Sequence, residues 1–420
     1  MKRTILTLLS AVLLLVTGCS KSPQRPTNDL FPVADSLINA AIADTLIPGA
    51  VLCVVQGDRI IHLQAYGNRQ VYPTCEPMTV ETVFDLASLS KVVGTGMTAM
   101  SLVDEGLLDL QAPVRQYLPE YEGDATITDL MTHVSGLPAY AQWKTLLNTS
   151  SNVGWKSQSA FGSEKGRLAG SQADRDRDQQ GGGVSFTPAE KRQILLRHVC
   201  HCPRHSEPRT DFCYSCLNFI TLQYVMETIT GRPLDQLASE RVFLPLGMKH
   251  TGYCVGPLPE VAPTELQPDS TCLKGVVHDP LARVMNSGVS GNAGVFSTAE
   301  DLARMAMWVM RNGSMESKGS KDSSDPFSAE TLHTMVTIPE GYEAFGRALA
   351  WDVSSDYNSC LGTSPSPTAV CHTGYTGTSM MIDLEHRYAI ILLTNRVHPY
   401  DKGGVISLRR AVADAIKEAL

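Results

Sequence analysis

Phe84-Asp85-Leu86-Ala87-Ser88-Leu89-Ser90-Lys91-Val92-Val93-Gly94-Thr95 is the stretch from which the rest of this 420-residue chain is read. As structure, it predicts a helix start. Ser88 suits an N-cap, and apolar residues recur at helical spacing from Lys91 to Leu108 (Val92, Met97, Met100, Leu102, Val103, Leu107). As chemistry, it is S-x-x-K. A spacing of three puts the Lys91 ammonium one turn above the Ser88 hydroxyl on one helix face. The positive end of a helix also favours negative charge on a serine oxygen and on an oxyanion beside it. No other lysine in the chain has a serine three positions before it. Taken alone, S-x-x-K is equally a capped surface helix with an ordinary lysine, so the choice rests on the remainder of the chain.

The chain starts Met1-Lys2-Arg3, followed by an apolar run from Ile5 to Val16 and then Thr17-Gly18-Cys19. A basic start, a short apolar region and small residues before a cut make a secretory signal. The run is too short to span a bilayer as a helix. Val16-Thr17-Gly18-Cys19 looks like a bacterial lipoprotein signal, in which Cys19 becomes the lipidated first residue. A plain secretory signal cut nearby is the other reading. Residues 1–18 are thus expected as signal and 19–29 as a polar, proline-containing tether. The remaining chain is long enough for a large core and one or two domains. Hydrophobic residues make up 43% and charged residues 19%, as in ordinary globular chains. A net charge of -8 gives no reason to expect nucleic acid as a partner.

Periodicity predicts a helix over 33–47, closed by Pro48-Gly49. Two strands come next, Ala50 to Val55 and Arg59 to Tyr66, around the turn Gln56-Gly57-Asp58. Cys53, inside the first strand, reads as a small buried apolar residue. Ile127 to Pro138 reads as a short helix ending in a Gly/Pro turn. Residues 145–186 are dominated by Ser, Gly, Gln, Asp and Arg and read as a mobile insertion, with a second such segment from Asn312 to Ser328. Pro188 to Val199, Leu217 to Gly231 and Thr298 to Met310 read as helices. The end returns to strand character at Thr378 to Leu384 and Tyr388 to Thr394, and a helix runs from Val405 to Leu420. Strands at both ends and helices between them predict an α/β chain of the α+β type. Its antiparallel sheet is built from both termini and flanked by helices, with a mainly helical part inserted. The expected catalytic domain is 30–420, with 30–120 and 330–420 as the α/β part and 121–329 as the helical part.

Two further stretches carry chemistry. Asp211-Phe212-Cys213-Tyr214-Ser215-Cys216-Leu217-Asn218 precedes a helix, and Cys371-His372-Thr373-Gly374-Tyr375-Thr376-Gly377-Thr378 precedes the penultimate strand. With S-x-x-K, these resemble the three active-site motifs of the serine β-lactamase and penicillin-binding-protein superfamily, in its class C-like branch. Leu130 to Pro138 ("LMTHVSGLP"), Val242 to Thr251 ("VFLPLGMKHT"), Gly275 to Pro280 ("GVVHDP") and Gly288 to Ala303 ("GVSGNAGVFSTAEDLA") resemble the branch too, in its order. The resemblance covers nearly all of 33–420 except the two insertions, and it favours the chemical reading of Ser88.

The resemblance implies roles. Ser88 would be the acylated nucleophile. Lys91 would take or relay its proton, for which a depressed pKa is expected. Tyr214 would be the partner base and acid. His372-Thr373-Gly374 would replace K-T-G on the strand edging the site, and the backbone N–H groups of Ser88 and Tyr375 would form the oxyanion hole. Two departures stand out. Cys216 occupies the asparagine position of Y-x-N, and a thiol donates and accepts hydrogen bonds poorly; Asn218, two residues on, does not take that position. His372 is no permanent cation. With an unperturbed pKa of about 6.5, it is expected to change charge across neutral pH and so to grip a substrate carboxylate less firmly there.

Cys200, Cys202, Cys213 and Cys216, with His201 and His205, allow zinc, a disulfide or free thiols. No metal and no cofactor are assigned. His278-Asp279 is left without a role. The expected protein is a monomeric serine hydrolase of the bacterial cell envelope, anchored to a membrane through Cys19 and facing the periplasm or exterior. It would act through an acyl-enzyme on D-alanyl-D-alanine peptides or esters. A true β-lactamase is the alternative within that class, and an inactive penicillin-binding-like sensor or scaffold the alternative outside it.

Overall fold

The structure is a computed structural model and describes residues 30–152, 185–312 and 325–420. The expected signal, tether and Cys19, most of the 145–186 insertion and much of the second insertion lie outside the described residues.

In chain order, α1 (Pro32–Ala43) leads into the hairpin of β1 (Gly49–Gln56) and β2 (Arg59–Gln70), then β3 (Glu76–Pro77) and β4 (Phe84–Asp85). A 3-10 turn at Ala87–Leu89 and a π-helical turn at Lys91–Gly96 introduce α2 (Met97–Asp104). The middle of the chain holds α3 (Ile127–Met131), α4 (Trp143–Asn152), α5 (Pro188–His201), α6 (Cys216–Thr230), α7 (Leu234–Ala238), β5 (Gly252–Tyr253), α8 (Pro280–Met285), β6 (Val295–Ser297), α9 (Ala299–Asn312) and α10 (Ala329–Val336). The end supplies β7 (Ala369–Thr373), β8 (Ser379–Asp383), β9 (Tyr388–Thr394) and α11 (Ile406–Ala419).

The main sheet has the order β3-β2-β1-β9-β8-β7, with every pairing antiparallel. β1, from the first part of the chain, pairs along its length with β9, from Ala50↔Thr394 to Gln56↔Tyr388. The period of two in these runs explains why both faces are covered. Val51, Cys53 and Val55 of β1 and Ala389, Ile391 and Leu393 of β9 enter one core cluster, shared with α2, α9 and α10. Their alternates Ala50, Leu52, Val54, Ile390 and Leu392 enter a second cluster, with Ile38 of α1 and Val412 and Ile416 of α11. The sheet is therefore a middle layer between two sets of helices. A separate three-stranded sheet, β4-β6-β5, carries the segment just before Ser88.

Local signals agree with these elements. Ser215 starts α6 by accepting the Leu217 N–H at 3.1 Å, and Gly231 ends it at a φ of 67°. One boundary differs from the sequence reading. Residues 145–152 continue α4, and Leu146 is packed into the core, so that part of the expected insertion has apolar surface to bury.

Leu52, fully buried on the α1–α11 side of β1, tests this layering. Leu52→Ala is expected to destabilise the chain by about 2–5 kcal/mol, read from the midpoint of urea unfolding. A cost below about 1 kcal/mol would show that α1 and α11 do not close over the sheet.

Candidate active site

Ser88 lies in the 3-10 turn and is half-exposed, while Leu86, Ala87, Leu89 and Ser90 around it are buried. It is not the helix cap expected from the sequence. Its hydroxyl is engaged from the next turn, where Lys91 Nζ donates to Ser88 Oγ at 2.9 Å. Ala87, immediately before it, sits in the left-handed region at φ 45°, uncommon for a residue with a Cβ. Ser90, the neighbouring hydroxyl, is fully buried and accepts the Val295 N–H at 3.0 Å. Only one of the two serines is thus presented to a substrate.

Lys91 is completely buried. Besides Ser88, its ammonium donates to the Asn292 carbonyl at 2.9 Å and reaches Cys216 Sγ at 3.5 Å. It lies 5.1 Å from the centre of the Tyr214 ring. Burial is the largest influence on Lys91 and disfavours its charge. The negative charge that Cys216 and Tyr214 would carry on ionising, with a hydrogen bond to Tyr214, outweighs burial, so Lys91 is held above the ordinary amine value. The depressed pKa expected from the sequence is therefore reversed. Burial also pushes the Cys216 thiol up.

Tyr214 is half-buried at the start of α6. Its ring stacks on Tyr357 at 4.6 Å with 10° between planes, and lies 4.4 Å from His133. His133 Nδ1 accepts the Ser215 N–H at 3.1 Å, which leaves the proton of the neutral ring on Nε2. Asn218 is buried against Ser135 and His133, consistent with its exclusion from the Y-x-N position.

The third motif closes the site from the sheet edge. Cys371 and His372 of β7 pair with Met381 and Met380 of β8. Gly374 presses on the segment that leads into Ser88: a Cβ there would meet the Leu86 carbonyl oxygen and the Thr378 Oγ1 at 2.2 Å each. Thr376 Oγ1 donates to the Asp85 carbonyl at 2.7 Å and Thr378 Oγ1 to the Leu86 carbonyl at 2.9 Å. Arg409 of α11 donates to the Gly374 and Thr378 carbonyls at 3.0 and 2.9 Å. Burial lowers the Arg409 pKa to about 10, which still leaves it a cation.

Thr373 is half-buried at the end of β7, and the Tyr375 side chain is exposed, donating to Asp401 Oδ2 at 2.6 Å. His372 is buried, its ring 6.1 Å from that of Tyr214. Its Nδ1 donates to the Thr373 carbonyl at 2.9 Å. Burial, then the charges of Arg347 and Lys91, hold its pKa well below the ordinary histidine value. The expected change of charge across neutral pH is thus corrected: His372 stays neutral there.

Several neighbours were not read from the sequence as site residues. Asn292 contributes through its main-chain carbonyl, which has no side-chain signature. His133 and Asn292 both lie in the motif-like stretches LMTHVSGLP and GVSGNAGVFSTAEDLA, the one signal that marks them. Tyr357 and Arg347 carry no signal. Asp279 caps α8 at the Ala282 N–H (2.7 Å) and accepts the Tyr140 hydroxyl at 3.0 Å, so it works as a loop element. Every described cysteine is a free thiol, and Cys200 and Cys202 are buried. Among the described residues, no group of three or more His, Cys, Asp or Glu side chains is placed to hold a metal.

Comparison with known proteins bears on the family and the fold. The family model described as β-lactamase matches residues 34–415. An N-acetylmuramyl-L-alanine amidase of Bacillus subtilis (strain 168) is 30% identical, over 90% of this chain and 83% of its own. A protein of Escherichia coli (strain K12), provisionally named as a D-alanyl-D-alanine carboxypeptidase, is 28% identical over 84% of this chain and 80% of its own. Among solved structures, a hydrolase with promiscuous acyltransferase activity superposes with a TM-score of 0.63 at 20% identity, over 92% of this chain and 98% of its own. An octameric penicillin-binding protein homologue from Pyrococcus abyssi gives 0.62 at 20% identity, over 92% and 76%. At such identities the two structures speak for the fold alone.

The two serines separate by substitution. Ser88→Ala is expected to abolish labelling by a fluorophosphonate probe. Ser90→Ala is expected to keep most labelling while losing about 1–3 kcal/mol of stability, because the buried Val295 N–H loses its acceptor. Labelling that survives Ser88→Ala and vanishes with Ser90→Ala would reverse the assignment.

Proposed function

We propose a mechanism, a substrate and a location for this chain, which belongs to the β-lactamase family of serine hydrolases and acyltransferases. The observation that carries the mechanism is the Lys91 Nζ to Ser88 Oγ hydrogen bond of 2.9 Å inside a pocket that excludes water from the lysine. Ser88 Oγ attacks a carbonyl carbon and becomes acylated. Lys91, charged, stabilises the alkoxide as it develops. Tyr214, entering the step as the phenolate that the neighbouring Lys91 ammonium would stabilise, takes the Ser88 proton and, as the neutral phenol so formed, returns it to the leaving group. The backbone N–H groups of Ser88 and Tyr375 receive the carbonyl oxygen as it gains charge. Water then releases the acid and regenerates Ser88.

The substrate is a peptidoglycan-type peptide ending in D-alanyl-D-alanine, or an ester of similar shape. Relatives named for carboxypeptidase and amidase activity on wall components support this class. The amidase relative, at 30% identity, favours a second reading in which the scissile bond joins the sugar lactyl group to L-alanine. One muropeptide offers both bonds. Incubated with a muramyl pentapeptide, the enzyme is expected to release free D-alanine in a Ser88-dependent way, read by mass spectrometry. Release of the intact peptide from the sugar would establish the amidase reading instead. With neither bond cut, and no penicillin or fluorophosphonate labelling of Ser88, the inactive sensor reading would stand.

The location is the bacterial cell envelope, with the chain anchored through a lipid on Cys19. The support is the sequence Val16-Thr17-Gly18-Cys19 behind a short apolar run. Cys19→Ser is expected to leave the precursor unprocessed or to release the protein from membranes, read by fractionation and by mature mass. A variant that is processed normally and still sediments with membranes would sink the anchor.

A further inference from the structure

Asp85 lies three residues before Ser88 and is 2% exposed. Both oxygens of its carboxylate are used, and both accept from main chain: Oδ1 from the Ala87 N–H at 2.8 Å, Oδ2 from the His278 N–H at 2.7 Å. Ala87 is the left-handed residue that delivers Ser88, and the Asp85 carboxylate is the side chain that holds its N–H. His278 belongs to the loop whose ring stacks on Tyr375, at 5.6 Å between centres and 20° between planes. The same two residues, Asp85 and Leu86, offer their carbonyls to Thr376 and Thr378 beyond β7. One buried carboxylate thus sits where the nucleophile's turn, the His278 loop and the turn carrying the Tyr375 N–H meet.

We infer that Asp85 is a positioning residue for the reaction: its ionised carboxylate fixes the Ala87 peptide and thereby aims the Ser88 hydroxyl and N–H at the reacting carbonyl. This rests on the reading of Ser88 as nucleophile. A backbone held in a sparsely populated conformation needs such an anchor, since small misplacement of a reacting atom is costly.

The charge state of Asp85 makes the role measurable. Burial pushes its pKa up to about 6; the His278 and Ala87 N–H groups pull down, Asp279 pushes up and Arg283 pulls down. The facing groups are thus His278, Asp279 and Arg283 on the loop and α8, with the neutral hydroxyl of Thr376 from the sheet side. A raised folded value means that the native state binds this proton more tightly than the unfolded one. The stability it gives is full below the ordinary carboxyl value and is lost as pH rises through about 6. Above about pH 6 that contribution is gone, so at neutral pH the ionised carboxylate is held at a cost relative to its protonated form. Protonation removes one acceptor and frees one of the two N–H groups. The histidines around the site, His133, His278 and His372, are all displaced downward, His278 to about 4, and Lys91 is displaced upward. An acid limb near pH 6 is accordingly expected from Asp85.

The test is the second-order rate of fluorophosphonate labelling of the full chain between about pH 5 and 8, with melting temperatures at the same pH values. Wild type is expected to lose reactivity by about tenfold per pH unit below the limb. Asp85→Asn is expected to label roughly tenfold to a hundredfold more slowly at the top of the range, to show no limb, and to melt no lower than wild type there. Asp279→Asn keeps a good cap for α8 and removes a neighbouring negative charge, so the limb should move to lower pH. Wild-type reactivity in Asp85→Asn, a limb that survives that substitution, or a parallel fall of reactivity and melting temperature would overturn the inference. If Asp85→Asn does not fold, an absent wild-type limb, or one unmoved in Asp279→Asn, overturns it by itself. Persistent labelling of Ser88→Ala would instead overturn the nucleophile assignment beneath it.

Discussion

An ammonium withdrawn from water has to be met by acceptors at every available proton, and Lys91 meets that demand with three partners, two of them from distant parts of the chain. Ser88 Oγ comes from the turn before it, the Asn292 carbonyl from the loop before β6, and Cys216 Sγ from the first residue of α6. An unpaired buried charge is strongly unfavourable, whereas a charge bound at three points fixes the geometry of all three. The positions of α2, α6 and the β4–β6 sheet are in that sense adjusted to one side chain. Cys216 is the soft member of the set: it fills the space of an amide but holds the ammonium less firmly than an oxygen would.

A second group of contacts brings the edge strand to this cluster. Gly374 lets the backbone after β7 lie directly on Leu86, a closeness that any Cβ would forbid. The hydroxyls of Thr376 and Thr378 then bond to the carbonyls of Asp85 and Leu86, and Arg409 bonds to the outer carbonyls of the same turn. The motif matters here for its small residue and its hydroxyls. Its histidine is neutral and turned into the protein, so a charged grip on a substrate carboxylate is not what this position supplies.

Much of the architecture was legible where local chemistry and tertiary placement agree. The runs Val51 to Val55 and Tyr388 to Thr394 are β-branched or aliphatic and bounded by turn residues, and they became the two central strands. Their pairing followed from strands occurring at both ends of the chain. The helix at Lys91 was legible in kind and not in detail. Its first turn is wider than an α-turn, and Gly94 and Gly96 sit within reach of the Tyr253 hydroxyl and the Ala350 Cβ, a packing constraint with no periodic signature. Ser88, Lys91, Tyr214 and Cys216 were readable as a set because motif spacing encodes them. The Asn292 carbonyl and the Tyr357 ring were not: one acts through main chain, the other from a loop far along the sequence. The charge states of Lys91 and His372 depend on burial and on neighbours that meet only in the fold, so no reading of spacing predicts them.

The pairing of β1 with β9 bears on how this protein is made. A ribosome finishes β1 more than three hundred residues before it finishes the strand that covers it. Throughout that interval, Val51 to Val55 have β2 on one side and nothing native on the other, an open edge that favours wrong pairing until β9 arrives. Ser88 is synthesised early as well, yet its surroundings wait for the turn after β7 and for Arg409 on α11. The bonds from Arg409 to the Gly374 and Thr378 carbonyls therefore form only once α11 has been made. A copy that stops before Arg409 would have the serine and the lysine but a loose wall beside them, so the site is assembled last although its central residues are made first.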